Sequence, residues 1–289
     1  MMGYKFLLSF LMVSSLSACQ TQTRETTYND TDQVKSGSSE LYAKKTYTLP
    51  TELNEISGMT FLSNSDDITY VIQDEDGIVF TYDLKNGVIK SQFEFGPDAD
   101  YEEITTDGEY FYVLQSNGTI FSFPVTMDID QGKVSVFKGL LDKGEYESMS
   151  YDSKSKSLVV ICKTCKLDKG EPKLTGYVLN IAEMGEVSLK NPFSIDLSGI
   201  AEIDSKNIES LKPSAISKRN SDNQWYLLSS IDNLLLILDE NFVPREVHRF
   251  KKKQFEQPEG ISFNNQDKLF ISSEKGKSKN AFIYQINLN

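Results

Sequence analysis

Short runs of apolar residues alternate with polar turns along most of the chain, from about residue 45 to residue 289. Many of these runs are apolar on consecutive positions, as at 158–161 and 234–238, so both faces of such a strand are expected to be buried. Turn pairs such as Asp76-Gly77 and Asn117-Gly118 separate neighbouring runs and favour tight hairpins. The pattern therefore predicts an all-β fold made of buried antiparallel sheets.

One short motif recurs at the start of five such groups of strands. Its copies read NEISGMTF, DYEEITTD, EYESMSYD, KPSAISKR and QPEGISFN, and they align on Ser57, Glu102, Glu147, Ser214 and Glu259. The steps between aligned positions are 45, 45, 67 and 45 residues, so the long step indicates one unit that carries an insertion of 22 residues. A period in this range with four short strands is typical of a β-propeller, whose first strands line the central channel.

The two ends of the repeated region predict how the ring closes. The fifth unit reaches Asn289 after three strands, and residues 45–49 offer the missing fourth strand. An N-terminal strand in the last blade would remove an open sheet edge. We therefore predict a five-bladed β-propeller over residues 42–289, closed by the N-terminal strand. Six blades are the alternative, should the long step contain a degenerate blade.

The repeated motifs EISGM, EEI, ESM, PSAI and PEGIS resemble those of the SdiA-regulated family, bacterial envelope proteins similar to NHL-repeat propellers. The resemblance covers roughly residues 45–289. It implies a five-bladed propeller and a bound calcium ion, and it implies no activity. The chain departs from the pattern at Ser214, where three other units have Glu.

The first residues are typical of a bacterial export signal. Lys5 precedes an apolar stretch at 6–16, which is too short to span a bilayer and fits a signal peptide. Leu16-Ser17-Ala18-Cys19 resembles a lipobox, which predicts a signal peptide at 1–18 and an acylated (palmitate-type) Cys19. An ordinary secretory signal is the alternative. Residues 19–41 are mostly polar and predict a disordered tether, and Gln20 favours the outer membrane of the cell envelope over the inner one.

Composition limits the chemistry further. The chain has 30 Lys and Arg against 42 Asp and Glu, a formal net charge of −12, which excludes a protein that grips the phosphate backbone of nucleic acid. A single histidine excludes a histidine cluster for zinc. The pair Cys162 and Cys165 predicts a local disulfide, with free thiols or a redox or metal pair as the alternatives. We expect a monomer.

The recurring glutamates are the candidate metal ligands. Glu102, Glu147 and Glu259 should converge at one end of the channel, and Glu55 lies two residues before Ser57, on the same strand face. Three carboxylates about 6 Å apart would repel by about 3 kcal/mol per pair at an effective dielectric of about 20. With no basic residue at the aligned positions, a hard cation such as calcium fits best. The alternative is that each glutamate accepts backbone hydrogen bonds, too far from the others to interact.

These features predict a binding or scaffold module for an unknown protein or small-molecule ligand. Whether the protein is an enzyme stays open, and no catalytic residue is assigned. The alternative is a calcium-dependent hydrolase, similar to the gluconolactonases in using an axial calcium to polarise a lactone carbonyl.

Overall fold

The computed structural model describes Met1, Gly3 and residues 39–127, 133–204, 208, 210–251 and 253–287. The predicted signal peptide cleavage site, the lipid attachment at Cys19 and most of the predicted tether lie outside the described residues. Within the described part of the chain, no helix has the length and hydrophobicity required to cross a bilayer.

Five antiparallel sheets make up the fold, and each is one blade. The chain opens with β1 (Ser39–Leu41) and β2 (Ala43–Thr48). Blade 1 consists of β3 (Ile56–Phe61), β4 (Ile68–Gln73), β5 (Ile78–Asp83) and β6 (Val88–Glu94). Blade 2 consists of β7 (Tyr101–Thr106), β8 (Tyr110–Gln115), β9 (Ile120–Pro124) and β10 (Ser135–Phe137). Blade 3 consists of β11 (Gly144–Asp152), β12 (Ser157–Cys165), β13 (Lys173–Ile181) and β14 (Val187–Asp196). Blade 4 consists of β15 (Ala215–Lys218), β16 (Trp225–Ser229), β17 (Leu234–Leu238) and β18 (Pro244–Phe250). Blade 5 consists of β19 (Pro258–Phe263), β20 (Leu269–Ser273), β21 (Phe282–Ile286) and, from the start of the chain, β2.

The blades form a closed ring. The first strand of each blade contacts the first strand of the next blade, and β19 contacts β3 to complete the circle. These first strands are β3, β7, β11, β15 and β19. Five hydrophobic clusters fill the five spaces between neighbouring blades. The middle strands are apolar on both faces because each sheet packs between two others, as the sequence pattern predicted. The prediction of five blades is thereby confirmed, and the six-bladed alternative is wrong.

The ring closes through the N-terminal strand. Strand β2 pairs antiparallel with β21, with Tyr47 opposite Ile283, so blade 5 combines strands from the beginning and the end of the propeller sequence. Strand β1, which the sequence placed in the tether, adds to blade 4 in parallel with β18. Its Leu41 is buried against Phe250 and Phe255. The packed region therefore includes a few residues before the predicted boundary at residue 42.

Blade 3 and the connection that follows it account for the long step between motifs. Its strands are nine or ten residues long, against five to seven in most others. The chain then needs residues 197–214 to reach blade 4, and this connection contains the short helix α1 (Ile200–Ile203). Ile200 and Ile203 are buried between blades 3 and 4, which anchors the connection to the core.

Candidate functional site at the channel mouth

A β-bulge occurs at the motif position in four of the five first strands. The ladders shift register between Ile56 and Met59, between Tyr101 and Glu103, between Tyr146 and Ser148, and between Pro258 and Ile261. In each case the first strand carries one more residue than its partner strand. A bulge re-aims the side chain of the extra residue. The repeated motif is therefore a repeated bulge at the start of each of these channel strands.

The glutamates at these bulges come close enough to act on one another. Burial, followed by the negative charges of Glu147 and Asp100, raises the pKa of Glu102 to about 9. Burial is also the main cause that raises the pKa of Glu147 to about 7, and Lys163 opposes the shift. Burial raises the pKa of Glu259 as well, against the effects of Lys163 and the Ser214 and Ser230 hydroxyls. Carboxyl groups from blades 2, 3 and 5 therefore share one electrostatic environment at this end of the channel.

The fourth predicted ligand, Glu55, lies in the same acidic region but among different neighbours. Burial, then the charges of Glu55 and Glu75, raises the pKa of Asp74 to about 6. Burial, then Glu259, Asp74 and Glu55, raises the pKa of Glu274 to about 8. Neither Glu274 nor Asp74 was among the ligands predicted from the repeated motif. Asp74 Oδ1 is in fact buried and has no hydrogen-bond partner in the described structure.

A lysine from a neighbouring strand enters the acidic cluster. Lys163 Nζ donates to Glu147 Oε1 and lies 3.7 Å from Glu145 Oε1. Both Lys163 and Glu147 are largely buried. The aligned positions contain no basic residue, but the second strand of blade 3 supplies one. Part of the negative charge is thus neutralised within the protein.

The cysteine pair explains how Lys163 reaches this position. Cys162 pairs with Tyr146 and Thr164 pairs with Glu145, so Lys163 is an extra residue on β12. A disulfide joins Cys162 to Cys165 across it, with the two Cα atoms 6.0 Å apart. Gly144 leaves room for the disulfide, since a Cβ there would lie 2.8 Å from both sulfur atoms. The two cysteines on either side of Lys163 were the sequence signal that could have identified this lysine.

The small residues at the motif position bind neighbouring backbone. Ser57 Oγ donates to the carbonyl oxygen of Tyr101 at 2.9 Å, which links blade 1 to blade 2. The Ser214 hydroxyl accepts the backbone N–H of Ser230 at 3.2 Å. Because Ser214 replaces a glutamate next to Glu259, one carboxylate is absent from blade 4 and a hydroxyl faces the carboxylate of blade 5.

Glu103, directly after the bulged Glu102, is completely enclosed. Its side chain is 1% exposed, Oε1 accepts the N–H of Ile104 at 3.0 Å, and Oε2 has no partner in the described structure. Burial raises the pKa of Glu103 well above its ordinary value. Glu103 therefore belongs to the packing between blades 1 and 2.

The acidic cluster is not a preformed coordination shell. Among the described residues, no group of three or more His, Cys, Asp or Glu side chains is arranged so that it could hold a metal ion as it stands. The carboxyl groups interact through their charges, while Lys163 occupies Glu147. A cation that bound here would have to replace Lys163 or protons and draw the side chains together.

The fold and this site define a five-bladed β-propeller with an acidic mouth at one end of its channel. The chain belongs to the SdiA-regulated family, whose family model matches residues 38–277. No curated protein sequence matches it.

Solved structures share the fold at low sequence identity. Glutaminyl cyclase of Myxococcus xanthus is 14% identical with a TM-score of 0.59, over 88% of this chain and 99% of that one. The PQQ-bound aldose sugar dehydrogenase of Streptomyces coelicolor is 11% identical with a TM-score of 0.52, over 86% of this chain and 98% of that one. At these identities the likeness shows the propeller fold alone.

Proposed function

We propose that the protein is a lipid-anchored binding module of the bacterial envelope, whose acidic channel mouth takes a calcium ion. The observation that carries the proposal is the convergence of Glu102, Glu147 and Glu259 from three blades. Burial raises all three pKa values, and the charge of Glu259 contributes to the shifts of the other two. Anchoring through Cys19, and an outer-membrane location, rest on the lipobox-like residues 16–19 and on Gln20.

The chemistry of the cluster suits a hard cation. Its donors are carboxylate oxygens, which calcium accepts in irregular arrangements, whereas zinc favours His and Cys. Glu102, Glu147 and Glu259 would hold the ion. Glu55 and Asp74, whose Oδ1 has no hydrogen-bond partner among the described residues, would be additional donors. Without an ion, protons and Lys163 balance the negative charge of the carboxyl groups. A bound ion would neutralise that charge in their place. It would also join three blades at the mouth, where an unknown protein or small molecule would bind.

Thermal unfolding with and without calcium tests the proposal. An ion present at 100 times its Kd stabilises a protein by about 2.7 kcal/mol, which corresponds to several degrees in Tm. We expect calcium to raise the Tm of the full-length chain relative to excess chelator. Glu102→Gln, Glu147→Gln and Glu259→Gln should each reduce that rise, whereas Glu94→Gln, an exposed position on β6, should not.

Lys163→Met provides a second variant with the opposite expectation. Removal of the ammonium group frees Glu147, so calcium should bind more tightly and the rise in Tm should increase. A Tm that calcium leaves unchanged in both the original chain and the Lys163→Met variant would contradict the proposal. The glutamates would then act only in packing between blades.

The hydrolase alternative requires the same ion. No observation on the described residues favours it over binding, so we do not propose it. If calcium binds as expected, hydrolysis of a panel of sugar lactones, compared between the original chain and Glu102→Gln, would test it directly.

A further inference from the structure

A second ring of equivalent side chains lines the channel, three residues after each motif position. These five residues all carry hydroxyl groups: Thr60, Thr105, Ser150, Ser217 and Ser262. A strand rises about 3.3 Å per residue, so this hydroxyl ring lies roughly 10 Å along the channel from the glutamates. In a regular strand, positions three apart face opposite sides. In the four bulged first strands the extra residue brings both positions toward the channel.

The hydroxyl ring surrounds a cavity at the end of the channel where the first strands finish. The cavity has a volume of about 470 Å³, and all five ring residues line it. The five side chains are between 6% and 8% exposed. Thr105 Oγ1 accepts the N–H of Tyr151 at 3.1 Å. The hydroxyls of the other four make no hydrogen bond to another described residue. Because these four residues line the cavity, their hydroxyls are available to a ligand there.

The remaining lining residues restrict the chemistry of that ligand. Lys218 is neutralised by Asp152, whose Oδ1 lies 2.6 Å from its Nζ, and Asp267 is the other charged residue of the lining. Asn220, Asn264 and Asn265 add amide groups, and the lining also includes the aromatic rings of Phe61, Tyr151 and Phe263. An anionic ligand would therefore meet no uncompensated positive charge among the lining residues.

We propose that this cavity is a second binding site, independent of the acidic mouth, for a neutral polyhydroxylated ligand of mono- or disaccharide size. Hydroxyl groups donate and accept hydrogen bonds, which matches the hydroxyls of a sugar, and aromatic rings suit its apolar C–H faces. The cavity volume falls within the range of small-molecule sites. The arrangement uses one position from every blade, so the five repeats together form the site.

Titration of the full-length chain with a panel of neutral saccharides, followed by calorimetry and ligand-observed NMR, tests this proposal. The panel contains glucose, galactose, N-acetylglucosamine, cellobiose and maltose, with glutamate and inorganic phosphate as charged comparisons. We expect saturable binding of at least one saccharide, and no binding of the charged compounds. Thr60→Val, Ser217→Ala and Ser262→Ala should each weaken binding about fivefold, the factor expected for loss of one neutral hydrogen bond.

Ser122→Ala is the matched control, because Ser122 has a buried hydroxyl with no partner in the described structure and does not line the cavity. That variant should bind the saccharide like the original chain, and Tm values should show that all variants are folded. Binding should also persist in excess chelator, which separates this site from the proposed calcium site. The proposal would be overturned by the absence of saturable binding across the panel, by affinities that the ring variants leave unchanged, or by binding that requires calcium.

Discussion

The carboxyl group of Glu102 illustrates how burial controls charge at the level of single residues. With a pKa of about 9 it is protonated at neutral pH, whereas Glu147, with a pKa of about 7, is close to half ionised there. The acidic mouth therefore carries less charge at neutral pH than its number of carboxyl groups suggests. A cation that binds there must release protons, so its affinity should increase as the pH rises.

Glu102 also predicts how stability depends on pH in the absence of a cation. A carboxyl whose pKa is higher in the folded state binds more protons when folded, so its contribution to stability is fully present below its ordinary pKa of 4.5. That contribution is lost as the pH rises towards 9. In chelator, the Tm of the original chain should fall between pH 5 and pH 9, measured by circular dichroism.

Glu102→Gln should reduce this fall in Tm between pH 5 and pH 9, because the amide does not titrate. The exposed control Glu94→Gln should show the same fall in Tm with pH as the original chain. An equal fall in all three proteins would show that Glu102 is not protonated in the folded state.

Close contact between first strands is the main constraint at the level of structural elements. A Cβ on Gly58 would lie 2.6 Å from the backbone nitrogen of Ile104 and 2.7 Å from the Cα of Glu103. The bulge of β3 thus packs directly against the backbone of β7. Only a residue without a side chain permits this approach without movement of one strand.

Gly58→Ala should therefore destabilise the protein, by about 1–3 kcal/mol as is typical of overpacking. Gly199→Ala is the matched control, because no atom lies within 4 Å of a Cβ built there. Urea unfolding at constant pH measures both variants. Comparable stability of the two variants would mean that β3 and β7 can move apart without a loss of free energy of unfolding.

The sequence predicted the elements well because blade packing leaves a clear pattern of apolar runs at a constant period. It predicted the glutamates at the mouth by the same alignment. It did not reveal the bulges, which depend on strand register, and so it could not show that the residue three positions later, such as Thr60 or Ser262, returns to the channel. Lys163 was missed because it reaches the mouth from a second strand, whereas the alignment compared first strands only.

The five blades form a closed ring whose stability depends on every inter-blade interface. Each of the five hydrophobic clusters lies between two blades, so an opened ring would expose the apolar faces of two sheets at once. Closure relies on β2, because β21 would otherwise be an unpaired edge strand. Both proposed sites take residues from several blades, and both therefore require a closed ring.

Shortening the chain from its start tests this dependence. A chain that starts at residue 49 lacks β2 and leaves β21 unpaired, so we expect it to lose cooperative unfolding or to aggregate. A chain that starts at residue 42 lacks β1 but keeps β2, and it should remain folded with a lower Tm, because among the described residues it loses the buried Leu41 and three parallel residue pairs. Thermal unfolding together with size-exclusion chromatography separates these results. A chain starting at residue 49 with the same Tm as the one starting at residue 42 would show that blade 5 is stable with three strands, and that stability of the ring does not require the N-terminal strand.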